Sequence, residues 1–191
     1  MKMSKLINDM SNCEQTQGMS VLEHGESVLR YYEDLINHLQ NDTPLQLEWK
    51  LPEWIYDHKD YILENLMSDD IIKDYQIFHD CGKPYCRTVD ENGRQHFPDH
   101  AKVSEQTWLD ASGDTQVGKL IGMDMDIHLL KDVGVAEFAK RPEAMTLLLT
   151  GLSEIHSNCA MFGGIDSTSF KIKWKQINKR GNAIFKELLV R

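Results

Sequence analysis

The chain has 191 residues, of which 27% are charged, and a formal net charge of −9. That length is enough for one domain, with or without a small appendage, and for a sizeable core. The acidic balance argues against non-specific binding of duplex nucleic acid as a main role. No apolar run is long enough to span a bilayer, and no hydrophobic signal core follows Met1-Lys2-Met3-Ser4-Lys5-Leu6.

Residues 1–17 are polar with scattered apolar positions and are expected to form a loose arm or a short helix. From about 19 to 40 the pattern becomes helical. Val21, His24, Val28, Tyr31 and Leu35 share one face, so a histidine is aimed at the core. Asn41-Asp42-Thr43-Pro44 breaks this helix, and a second helical region starts near Pro52. A third begins at Ser68, where Ser68-Asp69-Asp70 supplies an N-cap and an acidic first turn. Its Ile71, Ile72, Tyr75 and Phe78 lead into His79-Asp80, and Gly82 and Pro84 are expected to stop it.

Residues 84–97 read as a loop or hairpin, with Asn92-Gly93 as the turn. Helices are expected near 99–111, 114–130, 142–158 and 167–189. His100 opens the first of these, with Val103 and Thr107 beneath it. In the next, Val117, Leu120, Ile121, Asp124, Ile127 and His128 form an inward stripe, and Asp126 falls off it. The last has a core stripe of Phe170, Trp174, Ile177, Gly181, Ile184 and Leu188, and a basic face of Lys171, Lys175 and Lys179. Alone, that face reads as solvated; beside an anionic substrate it is a candidate phosphate or RNA contact. Long strands and internal repeats are absent from the sequence pattern, so the expected fold is all-α.

His79-Asp80 is the most informative feature. An imidazole beside a carboxylate suits a hydrolytic metal ion, which can polarise a phosphoryl oxygen and acidify water. Taken singly, His24 and His100 also read as hydrogen-bonded core histidines, and Asp124 as an ion-pair partner. Together these residues place several ligand types inward or at helix ends, where a carboxylate is costly to bury unless it is paired or binds a cation. Cys13, Cys81, Cys86 and Cys159 are too irregular for a zinc knuckle and read as free thiols of a cytoplasmic protein.

The order His24, His79-Asp80, Asp124 resembles that of the HD-domain metal-dependent phosphohydrolase superfamily. The closest local likeness is to the HD domain of bacterial tRNA nucleotidyltransferases. It is carried by His-Asp-Cys-Gly-Lys-Pro, Arg87-Thr88, Asp90-Glu91-Asn92-Gly93 and His96-Phe97-Pro98-Asp99-His100. The likeness covers roughly residues 19 to 130. It departs from the pattern in two places. Those enzymes tend to carry a histidine on the last ligand helix, where Asp124, Asp126 and His128 compete here. The nucleotide-adding head has no counterpart.

The resemblance implies a helical HD bundle over residues 18–191, with a short loop or hairpin after the His-Asp motif. It implies one or two divalent ions (Mn, Ni, Co, Fe or Zn) held by His24, His79, Asp80 and Asp124, with Asp80 able to bridge and His100, with His96 beside it, completing a second site or binding the scissile phosphate. Asp80, Lys83 and His100 would be catalytic. Lys83, Arg87 and His96 would contact substrate, and Lys175, from the basic face of the last helix rather than from the resemblance, is a further candidate contact. The implied partner is a nucleotide or a 2′,3′-cyclic phosphate, with RNA ends as a further candidate. A non-catalytic nucleotide-sensing or scaffolding module is the alternative.

Overall fold

The computed structural model describes residues 1–190 and is mostly helical. In chain order the elements are α1 (Met3–Ser11), β1 (Glu14–Thr16), β2 (Met19–Ser20), α2 (Val21–Asn41), α3 (Trp54–Asp57), α4 (Lys59–Glu64), α5 (Asp69–Phe78) and α6 (Lys83–Cys86). There follow β3 (Thr88–Val89), β4 (Gln95–His96), α7 (His100–Ser112), α8 (Thr115–Gly122), α9 (Asp126–Leu129), α10 (Val135–Ala139), α11 (Ala144–Cys159) and α12 (Thr168–Leu189). Each strand pair is a small antiparallel hairpin. Among the described residues, no helix is long and apolar enough to cross a membrane.

The chain forms two compact units. The first comprises Met1–Ser27 and Asp69–Met125, and the second Val28–Ser68 and the described residues from Asp126 onward. The division falls inside α2, whose expected inward face is fully realised: Val21, His24, Val28, Tyr31 and Leu35 are all buried.

In the first unit α1 packs on α6 and α7, and α8 packs on α5 and α7. The opening residues thus form the short helix, with Leu6 and Met10 completely buried. Two glycines set the spacing around the dyad. A Cβ on Gly25 would lie 2.1 Å from the Ile77 carbonyl oxygen, so only glycine lets the start of α2 approach α5 there. A Cβ on Gly82 would lie 2.4 Å from the Ser104 backbone nitrogen, so the turn after the dyad sits directly against α7. The Gly82 N–H donates to Ser104 Oγ at 2.8 Å and fixes that approach.

Two expected helices end early. α5 stops at Phe78, so His79 and Asp80 lie in the following turn, and Pro84 sits in the first turn of α6 rather than acting as a stop. The helix expected over 114–130 is two helices. α8 is capped by Asp114, whose carboxylate accepts from the Gln116 and Val117 N–H groups. It unwinds after Gly122, where the Asp124 N–H bonds the Ile121 carbonyl three residues back, at 3.2 Å. Asp124 therefore lies in a turn, although it is buried as its stripe predicts.

In the second unit α12 packs on α10 and α11. α11 is buried on nearly every side, with apolar residues around most of its circumference. Phe170, Ile177, Gly181 and Ile184 of the expected α12 stripe are buried. Trp174 is only partly covered and Leu188 likewise.

Candidate metal centre

The first unit gathers its polar core around Asp80. His24 comes from the first turn of α2, and His79 and Asp80 from the turn after α5. Lys83 opens α6 and His100 opens α7, entered through Asp99 in the left-handed region at φ 52°. All five belong to one compact unit. His24, His79 and Asp80 are each at most 2% exposed.

The two Asp80 oxygens have different company. Oδ2 lies 3.6 Å from His24 Nε2, 3.3 Å from His79 Nε2 and 2.7 Å from Lys83 Nζ. Oδ1 faces His100 Nε2 at 3.7 Å. The two buried imidazoles meet edge-on, with ring centroids 5.1 Å apart. Burial would push the Asp80 carboxyl up, but the Lys83 ammonium, His79 and His24 outweigh it and hold the group well below the usual carboxylate range.

The tautomer of His79 follows from its other nitrogen. Nδ1 lies 2.8 Å from the Gln76 carbonyl oxygen, which can only accept, so Nδ1 carries a proton. Nε2 then meets the carboxylate oxygen of Asp80 either as a protonated donor or as a lone pair. The lone-pair arrangement is favourable when a cation lies between the two. An imidazole whose far nitrogen is tied to a carbonyl is the usual form of a histidine ligand. His24, His79 and Asp80 each offer a ligand atom within 4.8 Å of the others and could hold a metal ion.

Asp124 stands next to this triad. One of its oxygens comes within 4.8 Å of a His79 ligand atom. Its carboxylate accepts a 2.6 Å hydrogen bond from the buried Tyr75 hydroxyl. The competing late residues belong to the second unit and have their own partners there. Asp126 pairs with Arg141, and His128 Nε2 lies 3.0 Å from Glu154 Oε2.

Other expected site residues stand apart from the buried cluster. His96 is exposed on β4 and pairs with Asp90 across the hairpin at 2.8 Å. Arg87 is exposed, and its Nε donates to Gln95 Oε1. The Asp90 carboxylate also accepts from the Asn92 and Arg94 N–H groups, so the Asn92-Gly93 turn is built on an aspartate. Lys175 is an exposed residue of α12 in the second unit.

Two neighbours were not anticipated. Gln15 of β1 accepts from Lys83 Nζ at 3.1 Å and donates to Asp80 Oδ2 at 3.4 Å, bridging the ion pair. Phe97 places its ring 5.2 Å from Lys83 Nζ. A polar residue in a segment read as an arm gives no periodic signal, and Phe97, within the His96–His100 stretch, has no role of its own in the sequence pattern. The described cysteines are free. Cys81 is buried beside the dyad with its thiol pushed up by desolvation, which makes it an inert packing group.

Comparison of the chain with family models, with curated proteins and with solved structures returned no match.

Proposed function

We propose that the protein is an HD-type, metal-dependent phosphohydrolase or phosphodiesterase acting on a nucleotide or a 2′,3′-cyclic phosphate. The observation that carries this reading is the buried convergence of His24 Nε2 and His79 Nε2 on Asp80 Oδ2. His24, His79 and Asp80, with Asp124 beside His79, would hold the ion. A divalent ion so held supplies Lewis acidity towards a phosphoryl oxygen and a more acidic water. Two imidazoles with carboxylates suit Mn, Fe, Co, Ni or Zn.

The chain's own groups do the rest. Lys83 brings positive charge against the same carboxylate oxygen, where it can offset charge building on phosphoryl oxygens. His100 is partly exposed, and Nδ1 donates to the Phe97 carbonyl at 3.3 Å, so Nε2 is the nitrogen able to exchange a proton with substrate. Burial keeps bulk water from His24 and His79. The HD-type bundle is part of the same proposal, supported by the order of an early-helix histidine, a His-Asp turn and a later aspartate. A cytoplasmic location fits the free thiols.

The Lys83–Asp80 contact favours a second reading, a non-catalytic nucleotide-sensing module, because an internal ammonium already neutralises the carboxylate. A screen of mono-, tri- and cyclic nucleotides for phosphate release or ring opening, in each of the five metals, separates the two. Turnover that disappears in Asp80→Ala supports the enzyme. Metal uptake or nucleotide binding without turnover supports the sensing module.

A further inference from the structure

We infer that the exposed face of α12 is a docking surface for the phosphate backbone of single-stranded nucleic acid, independent of whether the Asp80 cluster is catalytic. The charge of this acidic chain is unevenly placed. α12 holds six Lys or Arg residues and one Glu, a net charge of +5 in a chain of net −9. Its buried side is settled by Phe170, Ile177, Gly181 and Ile184, which turn the opposite side to solvent.

Lys171, Lys175, Lys179, Asn182 and Lys186 are exposed on that opposite side. They fall three or four residues apart, one above the other on the helix surface, with successive members about 4.5–6 Å apart along the axis. The row from Lys171 to Lys186 is about 22 Å long. Among the described residues no acidic side chain belongs to it. Such a line of single charges suits one phosphodiester strand that can lie along it. A duplex presents two strands and a broader field, for which the rest of an acidic chain is a poor partner.

The row runs past a cleft of about 310 Å³ that adds donors of a second kind. Lys131, Gln176, Lys179 and Arg180 line it, together with Leu130 and Asp132. The Arg180 Nε donates to the Leu130 carbonyl at 3.0 Å, which anchors the guanidinium at the cleft wall. Asp132 holds Lys179 at 3.2 Å through an exposed pair, the kind of weak contact that a phosphate can displace. Further along the helix, Lys50 Nζ lies over the Trp174 ring at 4.3 Å and extends the positive surface.

The test is fluorescence anisotropy of the full chain with a labelled twelve-residue oligouridylate, in chelator so that no metal-dependent cleavage occurs. On a single strand, log K falls against log salt with a slope of about −0.7 per phosphate neutralised. The wild type is expected to show a slope of about −2 to −3, a loss of roughly 20- to 60-fold between 50 and 200 mM salt. Lys171→Gln/Lys175→Gln/Lys179→Gln is expected to bind at least about tenfold more weakly, while Lys73→Gln/Lys102→Gln, exposed residues of the first unit, leaves binding unchanged. Should the triple variant melt early, Lys175→Gln alone still has to reduce the slope by about 0.7. No wild-type binding at 50 mM salt overturns the proposal, as does equal binding by the triple and control variants. Tighter binding of a duplex or of an oligoglutamate peptide overturns it in favour of that partner. Binding of uridine monophosphate as tight as that of the oligomer reduces the surface to a single phosphate subsite and also overturns it.

Discussion

Lys83 Nζ lies 2.7 Å from Asp80 Oδ2, the same carboxylate oxygen that both buried imidazoles approach. The chain thus carries its own counter-ion at the point where an exogenous cation is expected. Breaking a buried pair from one side typically costs about 3–5 kcal/mol, because the remaining charge is left uncompensated. Lys83→Met should therefore lower stability in chelator by an amount near the lower end of that range. A divalent metal should restore more stability to the variant than it adds to the wild type. Thermal melts with and without manganese check this. In kinetics, Lys83→Met should keep the metal and lower kcat more than it raises KM if, as proposed, the lysine acts on charge that develops in the transition state.

Asp124 and Asp126 are two residues apart and differ in every relevant respect. Asp124 is buried, bonded to the Tyr75 hydroxyl and beside His79. Asp126 is 41% exposed in its side chain and pairs with Arg141. Asp124→Asn should cost far more metal affinity and activity than Asp126→Asn. Tyr75→Phe, which removes only the orienting hydroxyl, should fall between them, with roughly a 10–100-fold loss of metal affinity. Metal titration of the three variants decides the order; equal effects would remove Asp124 from the site.

Gly25→Ala should be among the most damaging small substitutions in the chain. Its new Cβ would meet the Ile77 carbonyl at 2.1 Å, a backbone atom that cannot step aside without separating α2 from α5. A loss of at least about 3 kcal/mol in urea unfolding is expected. Gly93 has a positive φ of 74° but open space around it. Gly93→Ala should cost only the backbone term, roughly 1–2 kcal/mol.

Much of this was legible in the sequence, for physical reasons that can be stated residue by residue. His24 shares a face with Val21, Val28, Tyr31 and Leu35, and a helix carries that face inward. The Asp124 stripe gave the correct burial even though its helix breaks after Gly122. Burial follows the apolar neighbours, whereas the break depends on a local three-residue hydrogen bond that periodicity does not register. Gly25 near the start of α2 is a signal the periodicity does not use, since glycine inside a helix is unfavourable unless a neighbour needs the space. Gln15 left no trace because one polar side chain in a short hairpin has no pattern to belong to. The division inside α2 is equally silent, as a continuous helix shows no linker composition.

His156 makes the acid limb of stability testable. It is fully buried in α11 against Trp49, with ring centroids 4.4 Å apart and the planes tilted by 41°. Nδ1 donates to the Leu152 carbonyl at 2.8 Å, and Nε2 accepts from the Lys50 N–H at 3.0 Å. Protonating Nε2 would destroy the second bond, and burial pushes the group down from 6.5 to about 4. The unfolded chain takes up this proton first as pH falls. The stabilisation is therefore complete above about pH 6.5 and lost progressively down to about pH 4, roughly 3 kcal/mol in all. His156→Leu should flatten the pH dependence of unfolding free energy across that window, and an unchanged slope would show that the ring titrates normally.

The most direct test of the metal centre is the metal content of the full chain after equilibrium dialysis against manganese, measured for the wild type and for Asp80→Ala with helicity checked in parallel. Asp80 is the residue on which both imidazoles and Lys83 converge. The expected result is stoichiometric metal in the wild type and loss of it in Asp80→Ala at unchanged helical content. Equal occupancy in the two proteins, or no binding by the wild type, would contradict the assignment of His24, His79 and Asp80 as ligands.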